Sequence, residues 1–270
     1  MGAMPEWVPE TVDVTKPSAA RMYDYYLGGA HNFGVDRELA SRVLALFPDG
    51  PMMAQANRSF LHRAVRTMLD AGVRQFLDVG SGIPTSGNVH EIAQQAAPGA
   101  KVLYVDHDPV AVAHSELMLR GNPDADALQG DLRRPREILE SPQLRGLLDL
   151  SQPVGILLIA VLHFVSDEDR PHDILAELRD AVVPGSHLAV SHGTGVGRTT
   201  ATMDQLAEIY RSTATPLTFR DHDQVRDLFA GWELLDPGVV WVPEWRPSWH
   251  DEVGDDPGFS GTVGAVGRKP

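Results

Sequence analysis

Apolar positions follow two rhythms along this chain, and the change falls near residue 74. Upstream, Phe60, Leu61, Ala64, Val65, Met68 and Leu69 recur at three- and four-residue steps, the spacing that lines one face of a helix. This predicts a long helix over Pro51 to Ala71, ended by Gly72, since glycine readily takes the left-handed backbone that closes a helix. Two shorter helices are predicted before it, Ser18 to Leu27 after Pro17 and Asp36 to Phe47 before Pro48. Residues 1 to 17 are proline-rich and aperiodic and read as an extended arm.

Downstream, short apolar runs alternate with helical patterns. Strands are predicted at Gln75 to Val79, Val102 to Val105, Ala125 to Gln129, Val154 to Val161, His187 to Ser191, Trp232 to Trp241 and Ser260 to Gly267. Helices are predicted at Val89 to Ala97, Pro109 to Arg120, Asp169 to Val182, Thr200 to Ser212 and Asp221 to Phe229, with helical pieces in Arg136 to Leu148. Alternation of this kind implies an α/β fold with a mostly parallel sheet covered on both faces. The last two strands are joined by a Pro/Gly/Asp loop without a helix, so the final strand is expected to run antiparallel. The expected organisation is an arm and helical cap over residues 1–73 and a single sheet domain over 74–270.

The first strand runs straight into Gly80-Ser81-Gly82, and a helix follows. Glycines there permit a sharp turn and close approach of a ligand, and helix-start amides suit an anionic group. Several nucleotide-binding folds share such a turn. The dinucleotide pattern would need glycine where Thr85 stands, and a phosphate loop would need a Lys that is absent. Asp78, at the end of the strand, would repel a pyrophosphate but suits a cationic amino group. Asp106 and Asp131 close the next two strands, and Asp106 follows Gly82 at about the ~20-residue interval of a ribose-binding acid. Asp131 is placed to accept from an adenine amino group. Each acid taken singly also reads as a helix cap or a solvated loop acid.

Composition narrows the partners. The 270 residues are 43% hydrophobic, enough for a core, and carry a formal charge of −14, which opposes binding to nucleic acid. The short basic stretches, Arg133-Arg134-Pro135-Arg136 and Arg58 to Arg66, read as solvated faces. With no Cys, thiol catalysis and disulfides are excluded, and a cytoplasmic location fits. The opening MGAMPEWVPE lacks the basic and apolar regions of a signal peptide. The longest apolar run, Val154 to Leu162, is too short for a membrane span. The chain has 11 His but no H-E-x-x-H, and His187 and His192 fall on opposite faces of a strand, so no metal site is expected. The weight of Ala, Arg, Asp, Gly and Pro suggests a GC-rich bacterial genome.

The D-x-G-x-G at Asp78 to Gly82 resembles the opening motif of class I S-adenosylmethionine (SAM) methyltransferases, with Pro84 replacing that family's third glycine. More broadly, PSAARMYDYYLGGAHNF, FLDVGSGIPTSGNVHE, VLYVDHDPVAVAHSE, GDLRRP, LLIAVLHFVSDED and PGVVWVPEWRP resemble a bacterial SAM-dependent methyltransferase family long catalogued as a domain of unknown function. The resemblance implies a Rossmann-like class I methyltransferase fold, seven strands in the order 3-2-1-4-5-7-6 with the seventh antiparallel, and SAM as cofactor. It implies that Asp78, Gly80, Ser81, Gly82 and Thr85 hold the methionine end, that Asp106 takes the ribose hydroxyls and His107 flanks the adenine. It also places Asp131 and Leu132 at the adenine edge and Ala160 to His163 beside the methyl group.

Methyl transfer from a sulfonium is an in-line displacement that needs alignment and exclusion of water. His163, just after the fourth strand, is the candidate base, with a packed core histidine as the alternative reading. Tyr26 and Asn32, with Tyr23 and His31, are further candidate acceptors or orienting groups; a packed cap helix and a turn are the plainer readings. The aromatic-ended Pro-Pro signature of base-methylating enzymes is absent, so a small-molecule acceptor is expected. Two other functions fit parts of the pattern. Ala189-Val190-Ser191-His192-Gly193 resembles a nucleophile elbow, with Asp236 and His250 downstream. A non-catalytic SAM-binding protein would carry the same cofactor motifs.

Overall fold

A computed structural model of the chain describes residues 13–85, 87–210, 217–248 and 253–270. The sheet is built on β1 (Gln75–Val79), buried on both faces along its length. Successive side chains of a strand point to opposite faces. Phe76 accordingly enters one apolar layer and Leu77 the other. β2 (Lys101–Asp106) and β4 (Gly155–Ile159) flank β1 in parallel, β3 (Ala125–Gln129) lies outside β2, and β5 (His187–Gly193) lies outside β4. β8 (Thr262–Arg268) runs antiparallel beside β5. The full order is β3-β2-β1-β4-β5-β8-β6, as expected of this class of fold, with one difference in strand count.

The difference lies in the sixth predicted strand, Trp232 to Trp241. It is two short strands, β6 (Glu233–Leu234) and β7 (Val240–Trp241), both paired with β8, so the sheet has eight strands and not seven. Between them Gly238 donates its N–H to the Leu235 carbonyl in a turn. Pro237 has no N–H to give a ladder, which confines proline to edges and interruptions.

Helices cover both faces. α3 (Gly50–Asp70) touches β4, β5 and β8, and its Phe60, Ala64, Val65 and Met68 are wholly buried. Burying each of the larger ones stabilises by about 1.5–3 kcal/mol. Beside it packs α4 (Val89–Ala96), and α5 (Pro109–Met118) lies against β2 and β3. The opposite layer holds α6 (Pro135–Leu139), α7 (Pro142–Leu147), α8 (Pro171–Asp180) and α10 (His222–Asp227). Arg63 of α3 donates from Nε to the Trp245 carbonyl and from Nη2 to the Val242 carbonyl, fixing the segment after β7. No helix among the described residues is long and apolar enough to cross a membrane.

The remaining helices form a separate apolar cluster above the carboxyl ends of the strands. α1 (Ala19–Tyr26), α2 (Gly34–Leu46) and α9 (Thr200–Tyr210) bring together Met22, Leu39, Val43, Phe47, Leu206 and Tyr210. The predicted end of α9 at Ser212 lies outside the described residues. A buried ionic bridge ties this cap to the sheet. Arg21 donates from Nε to Asp36 Oδ2 at 2.8 Å and from Nη1 to Asp108 Oδ2 at 3.2 Å. Ser18, at the N-cap position of α1, makes no capping bond with its side chain and instead donates its hydroxyl to Asp108. Asp108 itself caps α5 by accepting from Val110 N–H.

Removing Arg21 would leave two buried carboxylates uncompensated, a loss of about 3–5 kcal/mol. Arg21→Met is therefore expected to lower the Tm by on the order of 10 °C in calorimetry. A Tm within about 2 °C of the parent would show that the bridge does not hold the cap.

Candidate functional site

The glycine bend after β1 is folded back over the end of β2. Gly80 and Ser81 donate their N–H groups to the Val105 carbonyl at 2.8 and 3.2 Å, and Gly82 N–H donates to Asp106 Oδ2 at 2.7 Å. Gly80 and Gly82 have φ of 74° and 68°, a region that disfavours any side chain. A Cβ on Gly80 would also strike Val161 at 2.4 Å, whereas one on Gly82 would meet nothing within 4 Å. Gly80 is thus fixed by packing, and Gly82 faces open space.

The amides leading into α4 are taken, and within its first turn His90 N–H donates to the Tyr104 hydroxyl at 2.9 Å. Glu91 accepts from Gly87 and Asn88, and Asn88 Oδ1 accepts from Thr85. The sequence suggested an anion-binding helix start; a capping box fills it instead. A ligand without phosphate has no use for those amides.

A cavity of about 250 Å³ opens beside the bend. Asp78, Gly80, Ser81, Gly82, Asp106 and His107 share its wall, and Ala160 and His163 lie further along. Asp78 is buried, and no donor reaches its carboxyl oxygens among the described residues. Burial pushes its pKa up to about 7, opposed by the charge of Arg58 and reinforced by Asp106. Asp106 is also raised by burial, while His107 and the N–H groups of Asp108 and Gly82 pull the other way.

Arg58 of α3 lines the same wall. The sequence reading assigned it to a solvated face. A usable signal was present, because Ala54, Arg58 and Leu61 share one helical stripe and all reach the cavity, so a cation interrupts an otherwise apolar face.

Away from the bend the cavity becomes apolar and aromatic, bounded by Tyr26, Phe47, Phe164, Tyr210 and Phe219. Burial raises both the Tyr26 and Tyr210 hydroxyls, Tyr210 to about 12, so both stay protonated at neutral pH. Tyr23 is tied to α3, donating to the Ala54 carbonyl and accepting from Asn57 Nδ2, each at 3.1 Å.

His163 Nδ1 accepts the N–H of Gly193 at 3.2 Å. Its neutral ring therefore carries its proton on Nε2. Burial, with His192 and Arg220 nearby, lowers its pKa to about 3. His192 accepts from Arg220 Nη1 at 3.0 Å and donates from Nδ1 to the Gly193 carbonyl at 2.8 Å. Arg220 also donates to Asp167 Oδ1 at 2.5 Å and to the Leu162 and Val165 carbonyls. This set fixes the loop that carries His163.

Ser191 is fully buried, and its Oγ accepts from Ala160 N–H at 2.9 Å. That bond holds Ala160 at φ 55°, a strained value for a residue with a Cβ. A hydroxyl so buried and engaged cannot attack a substrate, which removes the nucleophile-elbow reading. His250, its proposed partner, lies outside the described residues.

Five predicted site residues fall off the cavity wall, among them His31, whose ring centroid lies 4.0 Å from that of His114. Thr85 belongs to the capping box. Asn32 is buried, donating to Asp24 Oδ2 and the Gly29 carbonyl and accepting from Arg37. Leu132 is core. Asp131 pairs with Arg133, with Nη2 to Oδ2 at 2.6 Å. Burial would raise its pKa, but Arg133 and, more weakly, His107 lower it overall.

Comparison with known proteins gives the chemistry a family. A family model described as S-adenosyl methyltransferase matches residues 5–270. A crystal structure of a candidate methyltransferase from Thermobifida fusca YX is 36% identical, with a TM-score of 0.90, over 98% of this chain and 99% of that one. A duf574 family protein from Streptomyces avermitilis MA-4680 is 38% identical, with a TM-score of 0.89, over 96% and 99%. No curated protein matches. SAM is the cofactor that the family uses. With the match running over nearly the whole length, this chain belongs to the S-adenosyl methyltransferase family.

Proposed function

We propose that this protein transfers a methyl group from SAM to a small molecule, with the cofactor laid across the glycine bend. The observation that carries the reading is Asp78, a buried carboxyl with no donor among the described residues, on a wall shared with Asp106 and Arg58. A buried carboxylate that accepts no hydrogen bond is costly even with the Arg58 charge nearby, and a ligand ammonium would offset that cost. Bound there, SAM supplies an electrophilic methyl on a sulfonium.

The residues divide the work by charge. Asp78 takes the amino group and Arg58 the carboxylate of the methionine end. Asp106 uses its remaining lone pairs for the ribose hydroxyls, since the Gly82 and Asp108 amides already fix both of its oxygens. His107, exposed at the rim, and Asp131 beyond it flank the adenine. Ser81 and Gly82 leave room for the ligand backbone, and Ala160 forms the floor toward the acceptor.

No side chain on the acceptor side acts as a strong base in this reading. His163 has its acceptor nitrogen occupied and offers an N–H, so it orients the substrate. Tyr26 serves in the same way, and Asn32 supports the cap loop from outside the cavity. The chain's contribution is alignment and a dry chamber, the main demands of an in-line displacement. The apolar enclosure and the charge of −14 favour a small acceptor over a nucleic acid.

Asp106→Ala should weaken SAM binding by about 1–3 kcal/mol in calorimetry; unchanged affinity would refute the ribose assignment. The raised pKa of Asp78 sets a pH dependence with a definite sign. Its charged form binds the ammonium, so affinity should rise by roughly tenfold from pH 6 to pH 8, with a proton released on binding near neutrality. Calorimetry in two buffers of different ionisation enthalpy reads that proton. Asp78→Asn should abolish both the release and the pH slope; a variant that kept them would remove Asp78 from the site.

A further inference from the structure

The half of the cavity away from the glycine bend has an unusual charge pattern. Among the described residues the only carboxylates on the cavity wall are Asp78 and Asp106, both on the bend side. The far half holds aromatic rings, methionine and leucine side chains, and one permanently charged group, Arg198. Its guanidinium lies 5.2 Å from the centroid of the Phe47 ring and makes one long bond, from Nη2 to the Phe259 carbonyl at 3.4 Å. No carboxylate pairs with it among the described residues, in a chain with 37 acidic against 23 basic side chains.

We infer that Arg198 is the recognition group for the methyl acceptor, and that the acceptor is a ring-bearing small molecule carrying an oxygen acid already ionised at neutral pH, an aryl carboxylate or an acidic phenolate. The inference rests on the cofactor reading above, which assigns the bend half of the cavity to SAM.

Three observations weigh against a protonated amine, a neutral alcohol and a long flexible chain. A protonated amine would find no carboxylate in the far half and would meet Arg198. A neutral alcohol would need a base, and there His163 presents an N–H while Tyr26 and Tyr210 hold their protons. A long flexible chain would gain little from walls of Phe47, Phe164 and Phe219, whose flat faces suit another ring. An ionised oxygen needs no proton removed. An O–C bond forms at that oxygen as the S–C bond breaks, the electron pair stays on sulfur, and the two opposite charges cancel. Arg198 would bind the anion by charge-assisted hydrogen bonds while the Phe47 face keeps the guanidinium flat against the wall.

The test is binding in the presence of S-adenosylhomocysteine, so that no turnover is needed. The full chain is titrated with S-adenosylhomocysteine, then with 2-naphthoate and, separately, with 2-naphthylmethylammonium. The naphthoate is expected to bind and the ammonium to fail. Arg198→Met should weaken naphthoate by ~10-fold or more while leaving S-adenosylhomocysteine within about twofold, which also reports that the variant folds. Arg198→Lys should recover part of the loss. Equal binding of the ammonium, or naphthoate binding unmoved in Arg198→Met, would overturn the inference and leave the cofactor reading standing. Failure of the parent protein to bind S-adenosylhomocysteine would overturn both.

Discussion

A buried guanidinium ties the cap helices to the sheet. Arg21 sits between Asp36 of the cap and Asp108 of the sheet domain, and all three are almost inaccessible to water. Such a bridge adds little net stability over an apolar contact, but it has one satisfied arrangement. Asp108 is two residues from Asp106 and donates its N–H to that carboxylate. Asp106 in turn holds Gly82. The position of the cap and the shape of the glycine bend are therefore fixed by one continuous set of polar contacts.

That continuity explains where the site's unusual energies reside. Asp78 and Asp106 stand on neighbouring strands and are both buried, and the charge of Asp106 adds to the cost of ionising Asp78. Ala160 is held in a left-handed backbone by Ser191, one strand over. Groups of this kind are tolerated only where the surrounding structure over-determines them. Here the sheet supplies that determination, because β1, β2, β4 and β5 are adjacent and buried on both faces.

The polar set around Arg220 has a comparable role on the other side of the cavity. It engages His192, Asp167 and two carbonyls, and through Gly193 it sets the tautomer of His163. The same histidine that looks like a base in the chain's pattern is thereby made a donor. The buried serine of the elbow-like segment is likewise a structural acceptor. Both cases turn on which lone pair is already occupied, a matter of spatial neighbours.

The sequence by itself determined the strand and helix order, because apolar spacing reports how many faces of each element are buried, and five parallel strands appear within a residue or two of where the pattern puts them. It also marked the bend and its flanking acids, since a turn needing positive φ restricts residue type locally. What only the tertiary structure decided was how distant side chains meet. Arg58 and Arg198 look like ordinary surface charge until α3 and the segment after β5 close around one cavity. Thr85 and Asn32 look like ligand groups until a capping box and a loop consume their hydrogen bonds. The sixth strand divides in two because the turn closed by Gly238 N–H on the Leu235 carbonyl, with Pro237 inside it, interrupts its pairing with β8. Local pattern encodes burial, whereas hydrogen-bond satisfaction and charge pairing depend on residues far apart in the chain, and those the fold alone brings together.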